Sequence, residues 1–147
     1  DTIATVLEAA DSGHKVLTTL HTSSAVESID RILGESNPLE QERIKERLAG
    51  VITCVVSQKL VPSLNGTLVL AKEVMIANMS VRTAIRNNNT EEIYQIIQQS
   101  NREGMLTMEQ DLVRLYRSRV ISQETAVNFA NNKKRVEDLL RYLKRVA

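Results

Sequence analysis

Gly13-His14-Lys15-Val16-Leu17-Thr18-Thr19-Leu20-His21-Thr22 is the stretch that decides how this chain reads. Lys15 to Leu20 is a short, mostly apolar, β-branched run, followed by the hydroxyl-rich turn Thr22-Ser23-Ser24. That pattern predicts a buried strand and is too short for a helix. The chain's two histidines bracket it. Ligands of open parallel α/β sheets sit outside the carboxyl ends of the strands, so His21 and Thr22 fall at a binding edge and His14 at the opposite end. Seven residues of extended chain span roughly 23 Å. The two imidazoles therefore cannot share one metal ion along a single strand, and no metal site is expected.

Outward from that segment, helix signals dominate. Ile3, Val6, Leu7 and Ala10 precede it on one helical face, and Ala25, Ile29, Ile32 and Leu33 follow it on another, ended by Gly34. Asn37-Pro38-Leu39-Glu40 reads as a capped helix start. The helix it opens carries Ile44, Leu48, Val51, Ile52, Val55 and Val56 on one side. Asn65-Gly66 between apolar runs predicts a hairpin, with Pro62 placing the first arm at an edge. From residue 77 onward no strand pattern recurs. Ser80, Thr90, Thr107 and Ser122 each open a short helix, and a last one runs through Val136, Leu139, Leu140 and Leu143.

The bulk properties exclude more than they assign. A chain of 147 residues buries about two-thirds of its unfolded surface. No apolar run approaches the ~18 residues that span a bilayer, and no signal peptide opens the sequence. The lone cysteine, Cys54, lies in the apolar stretch Val51–Val56 and reads as a small core hydrophobe in a reducing, cytoplasmic setting. A net charge of +1 gives no general argument for nucleic acid. The four aromatics, Tyr94, Tyr116, Phe129 and Tyr142, make no base-stacking platform. Lys133, Lys134, Arg135, Arg141, Lys144 and Arg145 outnumber Glu137 and Asp138 in the last helix. That basic face reads as solvated, though it could meet acidic lipid or an acidic partner.

Ala9-Ala10-Asp11-Ser12-Gly13-His14 and Thr19-Leu20-His21-Thr22 resemble the histidine box of the type II/IV secretion ATPases, hexameric motors with a RecA-like core. The likeness continues, in the family's order, through Ala25 to Ile32, Val55 to Leu60, Ala71 to Met75 and Gly104 to Met108. It implies an α/β fold: the C-terminal part of a RecA-like P-loop ATPase core over residues 1–76, followed by a helical subdomain over 77–147. In the family an element like Asp1-Thr2-Ile3 follows the Walker B strand, and no G-x-x-x-x-G-K-[ST] loop occurs here. The sequence therefore reads as the C-terminal portion of a motor, with ATP and Mg²⁺ held mainly by an upstream half. A lone Asp1 is read as a helix N-terminal acid.

The resemblance implies catalytic roles for His21, which could sense the γ-phosphate or orient the attacking water, and for His14 at the catalytic interface. Thr19 and Thr22 would supply hydroxyls to the nucleotide. A histidine hydrogen-bonded in a turn is the plainer alternative for each. Arg31 could reach a phosphate across subunits or be salt-bridged. No chemistry is assigned to Glu73.

Two features point to one branch of the family. Ser80-Val81-Arg82-Thr83-Ala84-Ile85-Arg86-Asn87 resembles the "AIRNLIRE" element of pilus-retraction ATPases of the PilT type, with Arg82, Ile85 and Arg86 matching. Asn87 replaces the final glutamate. With Val81, Ala84 and Ile85 filling a buried stripe, both arginines would remain for partners or neighbouring subunits. The second feature is the tight Leu60–Thr67 interval, where extension and type II secretion ATPases insert a tetracysteine zinc module. No zinc is expected here. The resemblance implies a homo-hexamer, cytoplasmic and peripheral at the inner membrane, engaging a type IV pilus platform protein there. A rival reading is a non-catalytic helical interaction module.

Overall fold

The computed structural model describes residues 2–35 and 37–146; the reading of Asp1 lies outside them. α1 (Thr2–Asp11) carries Leu7 into the core. Its end explains the glycine before His14. Gly13 has φ +89°, its N–H reaches the Ala10 carbonyl at 3.0 Å, and the His14 N–H reaches Ala9 at 3.2 Å. These paired bonds form a Schellman stop, which needs a left-handed residue.

The predicted strand does not form after it. Residues 14–20 have no regular structure, and Leu17 is 98% exposed. An apolar, β-branched run becomes a strand only when neighbours take up its N–H and C=O groups. No described residue pairs with this one.

α2 (Ala25–Gly34) begins at Ser24, whose hydroxyl accepts the Glu27 N–H. α3 (Gln41–Val51) starts later than predicted: Asn37 caps a preceding turn, accepting the Leu39 N–H at 3.1 Å, while Glu40 occupies the N-cap. It also ends sooner. Ile52 is extended, and the β-branched run beyond it, including Val55 and Val56, continues as strand.

β1 (Cys54–Pro62) and β2 (Leu68–Ile76) form an antiparallel hairpin, in register from Cys54 opposite Ile76 to Pro62 opposite Leu68. Its turn is as predicted, with Gly66 at φ +84° and Asn65 Oδ1 accepting the Thr67 N–H. Cys54 departs from expectation: it is exposed at the open end of β1, on the outward side of the pleat. The far edge of β2 is covered. Val74 and Leu106 exchange both backbone hydrogen bonds, at 2.8 and 3.0 Å, and Asp111 Oδ2 accepts the Lys72 N–H at 2.9 Å.

The rest is helical: α4 (Met79–Arg86), α5 (Glu91–Gln99), a 3₁₀ turn at Asn101–Glu103, α6 (Met108–Arg117), α7 (Gln123–Phe129) and α8 (Lys133–Val146). Asn78 caps α4, where Ser80 was expected to open it. Thr107 and Gln110 close a reciprocal capping box on α6. Two hydrophobic clusters result. One gathers Leu7, Ile29, Leu48, Met75, Ile85 and Ile97 from α1 to α5 and the end of β2. The other gathers Val61, Ala71, Leu112, Ile121, Val136 and Leu140, seating α6 to α8 on the hairpin. Each cluster draws on residues from both sides of position 76.

Candidate functional site

His21 opens the turn into α2 and is exposed. Its carbonyl oxygen accepts from Arg31 Nη1 at 3.4 Å, while its imidazole makes no hydrogen bond or ion pair among the described residues. Arg31 also pairs with Glu35 at 3.4 Å, so it is tied to its own helix and to the His21 backbone. Thr22 is half-buried, its hydroxyl 2.6 Å from Ser28 Oγ. Ser23 donates its N–H and its hydroxyl to Glu27 Oε2, at 2.8 and 2.6 Å. Those two bonds hold the Glu27 carboxyl below the usual glutamate range. The turn is therefore stiff, and the imidazole it presents is open.

His14 stands seven residues earlier, exposed, with Nδ1 2.8 Å from Ser12 Oγ. Ser12 donates its hydroxyl proton to the Ala9 carbonyl at 2.8 Å. Its oxygen can then only accept from His14, which fixes the proton on Nδ1 and leaves Nε2 a free acceptor in the neutral ring. Thr19 is exposed. No contact joins His14 to His21, and the described residues hold no cluster of three or more His, Cys, Asp or Glu side chains suited to a metal ion.

A helix N-terminus beside an open imidazole would ordinarily suit a phosphate. Here two of the first three N–H groups of α2, those of Ala25 and Glu27, are already taken, and the intrahelical ladder begins at Ser28. Ala25 N–H goes to Glu73 Oε1 at 2.8 Å, Glu27 N–H to Ser24 Oγ at 3.1 Å and Ser28 N–H to the Ser24 carbonyl at 3.0 Å. The His21 imidazole and the Thr19 hydroxyl are exposed at this edge, while the Thr22 hydroxyl is bonded to Ser28. A groove of about 470 Å³ between α6 and α8 is lined by Val113, Arg114, Arg117, Leu139, Tyr142 and Leu143 and borders neither histidine.

Within the retraction-like octad Val81, Ala84 and Ile85 are buried, Ser80, Thr83 and Asn87 are exposed, and the two arginines reach α3. Arg82 Nη1 donates to the carbonyls of Ala49 and Gly50, the latter at 2.8 Å, capping the negative end of α3. Arg86 pairs with Glu46 of the same helix at 3.1 Å. Both arginines therefore have partners on α3, Arg86 through an ion pair that stays partly exposed. Ile85 is fully buried, so it anchors α4 in the core and presents nothing to a partner.

Two buried carboxylates, Glu109 and Asp111, escaped the sequence reading, and a third, Glu73, was given no chemistry there. Glu73 accepts the N–H groups of Ala25 and Met108, the latter at 3.3 Å. Glu109 accepts the Asn132 N–H at 2.9 Å, and Asp111 binds Lys72 and Arg114. Burial pushes the Glu73 carboxyl above the ordinary glutamate value of 4.5, against the pull of its two N–H donors. The alternation of β2 was the available signal. Lys72 and Glu73 are adjacent, so one of them must point inward.

The family model described as "Type II/IV secretion system protein" matches residues 1–142. The chain is 38% identical over 133 residues to a twitching motility protein of Neisseria gonorrhoeae, covering 90% of this chain and 36% of that protein. It is 35% identical over 126 residues to the type IV pilus retraction ATPase PilT of Pseudomonas aeruginosa, covering 86% and 37%. Its fold superposes on the crystal structure of the pilus retraction motor PilT with bound ADP at a TM-score of 0.85 and 34% identity, covering 93% of this chain and 38% of that one. On the Legionella pneumophila ATPase DotB the TM-score is 0.73 at 27% identity, covering 85% and 34%. The chain thus spans little more than a third of the length of these relatives. With its histidine box, hairpin and helical half matched over residues 1–142, the chain belongs to the type II/IV secretion system protein family.

Proposed function

We propose that this chain is part of a motor ATPase of the pilus-retraction type, which couples ATP hydrolysis to pilin disassembly and so powers type IV pilus retraction and twitching motility. The observation that carries this reading is the fit to the PilT retraction motor, at a TM-score of 0.85 over 93% of the chain. The short Ser63–Thr67 turn supports retraction over extension or type II secretion, because it has no cysteine with which to bind zinc. In this reading residues 1–76 complete a RecA-like core and 77–147 form the helical subdomain. The assembly is a homo-hexamer in the cytoplasm that docks on a pilus platform protein at the inner membrane.

ATP is the substrate, with its Mg²⁺ held by residues outside this chain. Within it, His21 offers an open imidazole on a stiff turn, able to orient water or the γ-phosphate, and Thr19 offers a hydroxyl. Thr22 sets the turn through Ser28. His14, with Nε2 open as an acceptor, serves the interface between subunits. Arg82, Ile85 and Arg86 bear on coupling by fixing α4 against α3.

The test is His21→Ala in a chain that includes the nucleotide-binding half. Turnover should fall by about 10²-fold or more, the range for losing a positioned proton-handling or orienting group. Melting temperature should hold, because the imidazole is exposed. Turnover within about twofold of wild type would remove His21 from the mechanism.

A further inference from the structure

Glu73 lies on the inner face of β2 between Ala71, which belongs to one hydrophobic cluster, and Met75, which belongs to the other. At 2% exposure it is a carboxyl group set into the seam where the two clusters meet. Burying a carboxylate is costly unless its oxygens are hydrogen-bonded. Here each oxygen takes one backbone N–H, from Ala25 at 2.8 Å and from Met108 at 3.3 Å. Both are the first residues of helices, where N–H groups lack acceptors within the helix and the dipole favours negative charge. One helix, α2, packs in the first cluster, and the other, α6, in the second.

We infer that Glu73 is a positioning residue that pins the start of α2, and with it the His21–Thr22 turn, to the start of α6. The inference rests on the reading above, in which His21 serves ATP turnover. Ala25 is four residues beyond His21, and the residues between are bonded into the first turn of α2 through Ser28 and Glu27. The turn therefore cannot shift without α2. A second tie runs the same way: Asn131, between α7 and α8, donates to the Ser23 carbonyl at 3.0 Å while accepting from Lys59 at 2.6 Å. Displacement of the helical half is carried to the histidine by a two-ended polar strut. Apolar contacts, which slide, would not transmit it so directly.

The test uses the chain joined to its nucleotide-binding half. Glu73→Gln keeps the reach but presents an NH₂ to one of the two N–H donors. Glu73→Asp keeps the charge but is shorter by roughly 1.5 Å, one C–C bond. Both should lower kcat about tenfold or more, with KM for ATP within about threefold. The control is Asp111→Asn, which removes a buried carboxylate that ties β2 to α6 without touching α2. It should lower the melting temperature comparably while leaving kcat within about twofold.

Ala25→Pro removes the N–H donor and places the proline Cδ against Glu73 Oε1 at a fully buried position, so it breaks the tie from the α2 side. Proline is favoured at the first helical position, and Ser24, at φ −150° and ψ 164°, has the extended backbone that a following proline requires. It should reproduce the kcat loss, and where the Glu73 variants do not fold, its kcat and its exchange over residues 22–28 are read against Asp111→Asn at comparable melting temperature. Hydrogen exchange over residues 22–28 should quicken in the Glu73 variants and not in Asp111→Asn. Unchanged kcat in the Glu73 variants, or an equal loss in the Asp111 control, overturns the inference. A wild-type protein that does not turn over ATP overturns the proposed function instead, and the exchange measurement still judges Glu73.

Discussion

Lys15–Leu20 and β2 look alike as strings of residues, both apolar and both β-branched, yet the molecule treats them in opposite ways. The first lies open, with Leu17 98% exposed and no ladder. The second is held on every side but one: β1 along one edge, Leu106 and Asp111 along the other, and both hydrophobic clusters on its inner face. The difference lies in where the backbone groups go, since the residue types are the same. In β2 both edges and the inner face are committed, and that face serves the core, while Leu68 and Leu70 stand on the exposed face. Between Lys15 and Leu20 no described residue takes up the backbone, and most of these side chains stand exposed.

The sharpest way to break this contrast is a pair of truncations read by urea unfolding. Met75→Ala, in the core at the end of β2, should cost about 2–5 kcal/mol. Leu17→Ala should cost at most about 0.5 kcal/mol. A loss above about 1 kcal/mol at Leu17 would mean that the segment packs against something in solution. A smaller effect separates the octad's two arginines. Arg82→Ala uncaps two carbonyls of α3 and should cost about 1.5–3 kcal/mol, the range for hydrogen bonds to charged groups. Arg86→Ala breaks an exposed pair and should cost about 1 kcal/mol or less. Equal costs would show that capping α3 is not what Arg82 does.

The smallest expected effect is in pH dependence, where two glutamates serving the start of α2 should slope in opposite directions. Burial raises Glu73 above 4.5 in the folded chain. Its contribution is complete below 4.5 and is lost as pH rises through the raised value. The stability difference between wild type and Glu73→Gln should therefore shrink as pH climbs. Glu27 is lowered by the Ser23 hydroxyl and N–H, so its contribution is present above 4.5 and is lost as pH falls through the lowered value. The difference between wild type and Glu27→Gln should shrink on acidification. Slopes of the same sign at both positions would refute the assignment of burial as the dominant cause at Glu73.

What could be read from the sequence was whatever is decided within a few residues. The Thr107–Gln110 capping box and the Asn65-Gly66 turn are local devices, and each acts as its residues require. Asn37 was legible as a cap but not as the cap of a turn rather than of α3. The run from Val51 to Val56 satisfies helical and strand patterns alike, and pairing with β2 settled it.

The site was legible in its types and not in its bonds. His21 stands exposed beside the start of α2, on an irregular segment instead of the strand its pattern predicts. The partners of Arg82 are backbone carbonyls 32 and 33 residues away, and those of Glu73 are N–H groups 48 and 35 residues away. Nothing near either residue marks them, because every residue carries the same carbonyl and nearly every one the same N–H.

The cover over the far edge of β2 gives the sheet a direction. Unpaired strand edges are templates on which further strands assemble. On the β2 side Leu106 and Asp111 already occupy the backbone, while β1 has no strand on its outer side among the described residues. Any further strand could therefore join only along β1, because the start of α6 and the residue before its cap already hold the β2 side.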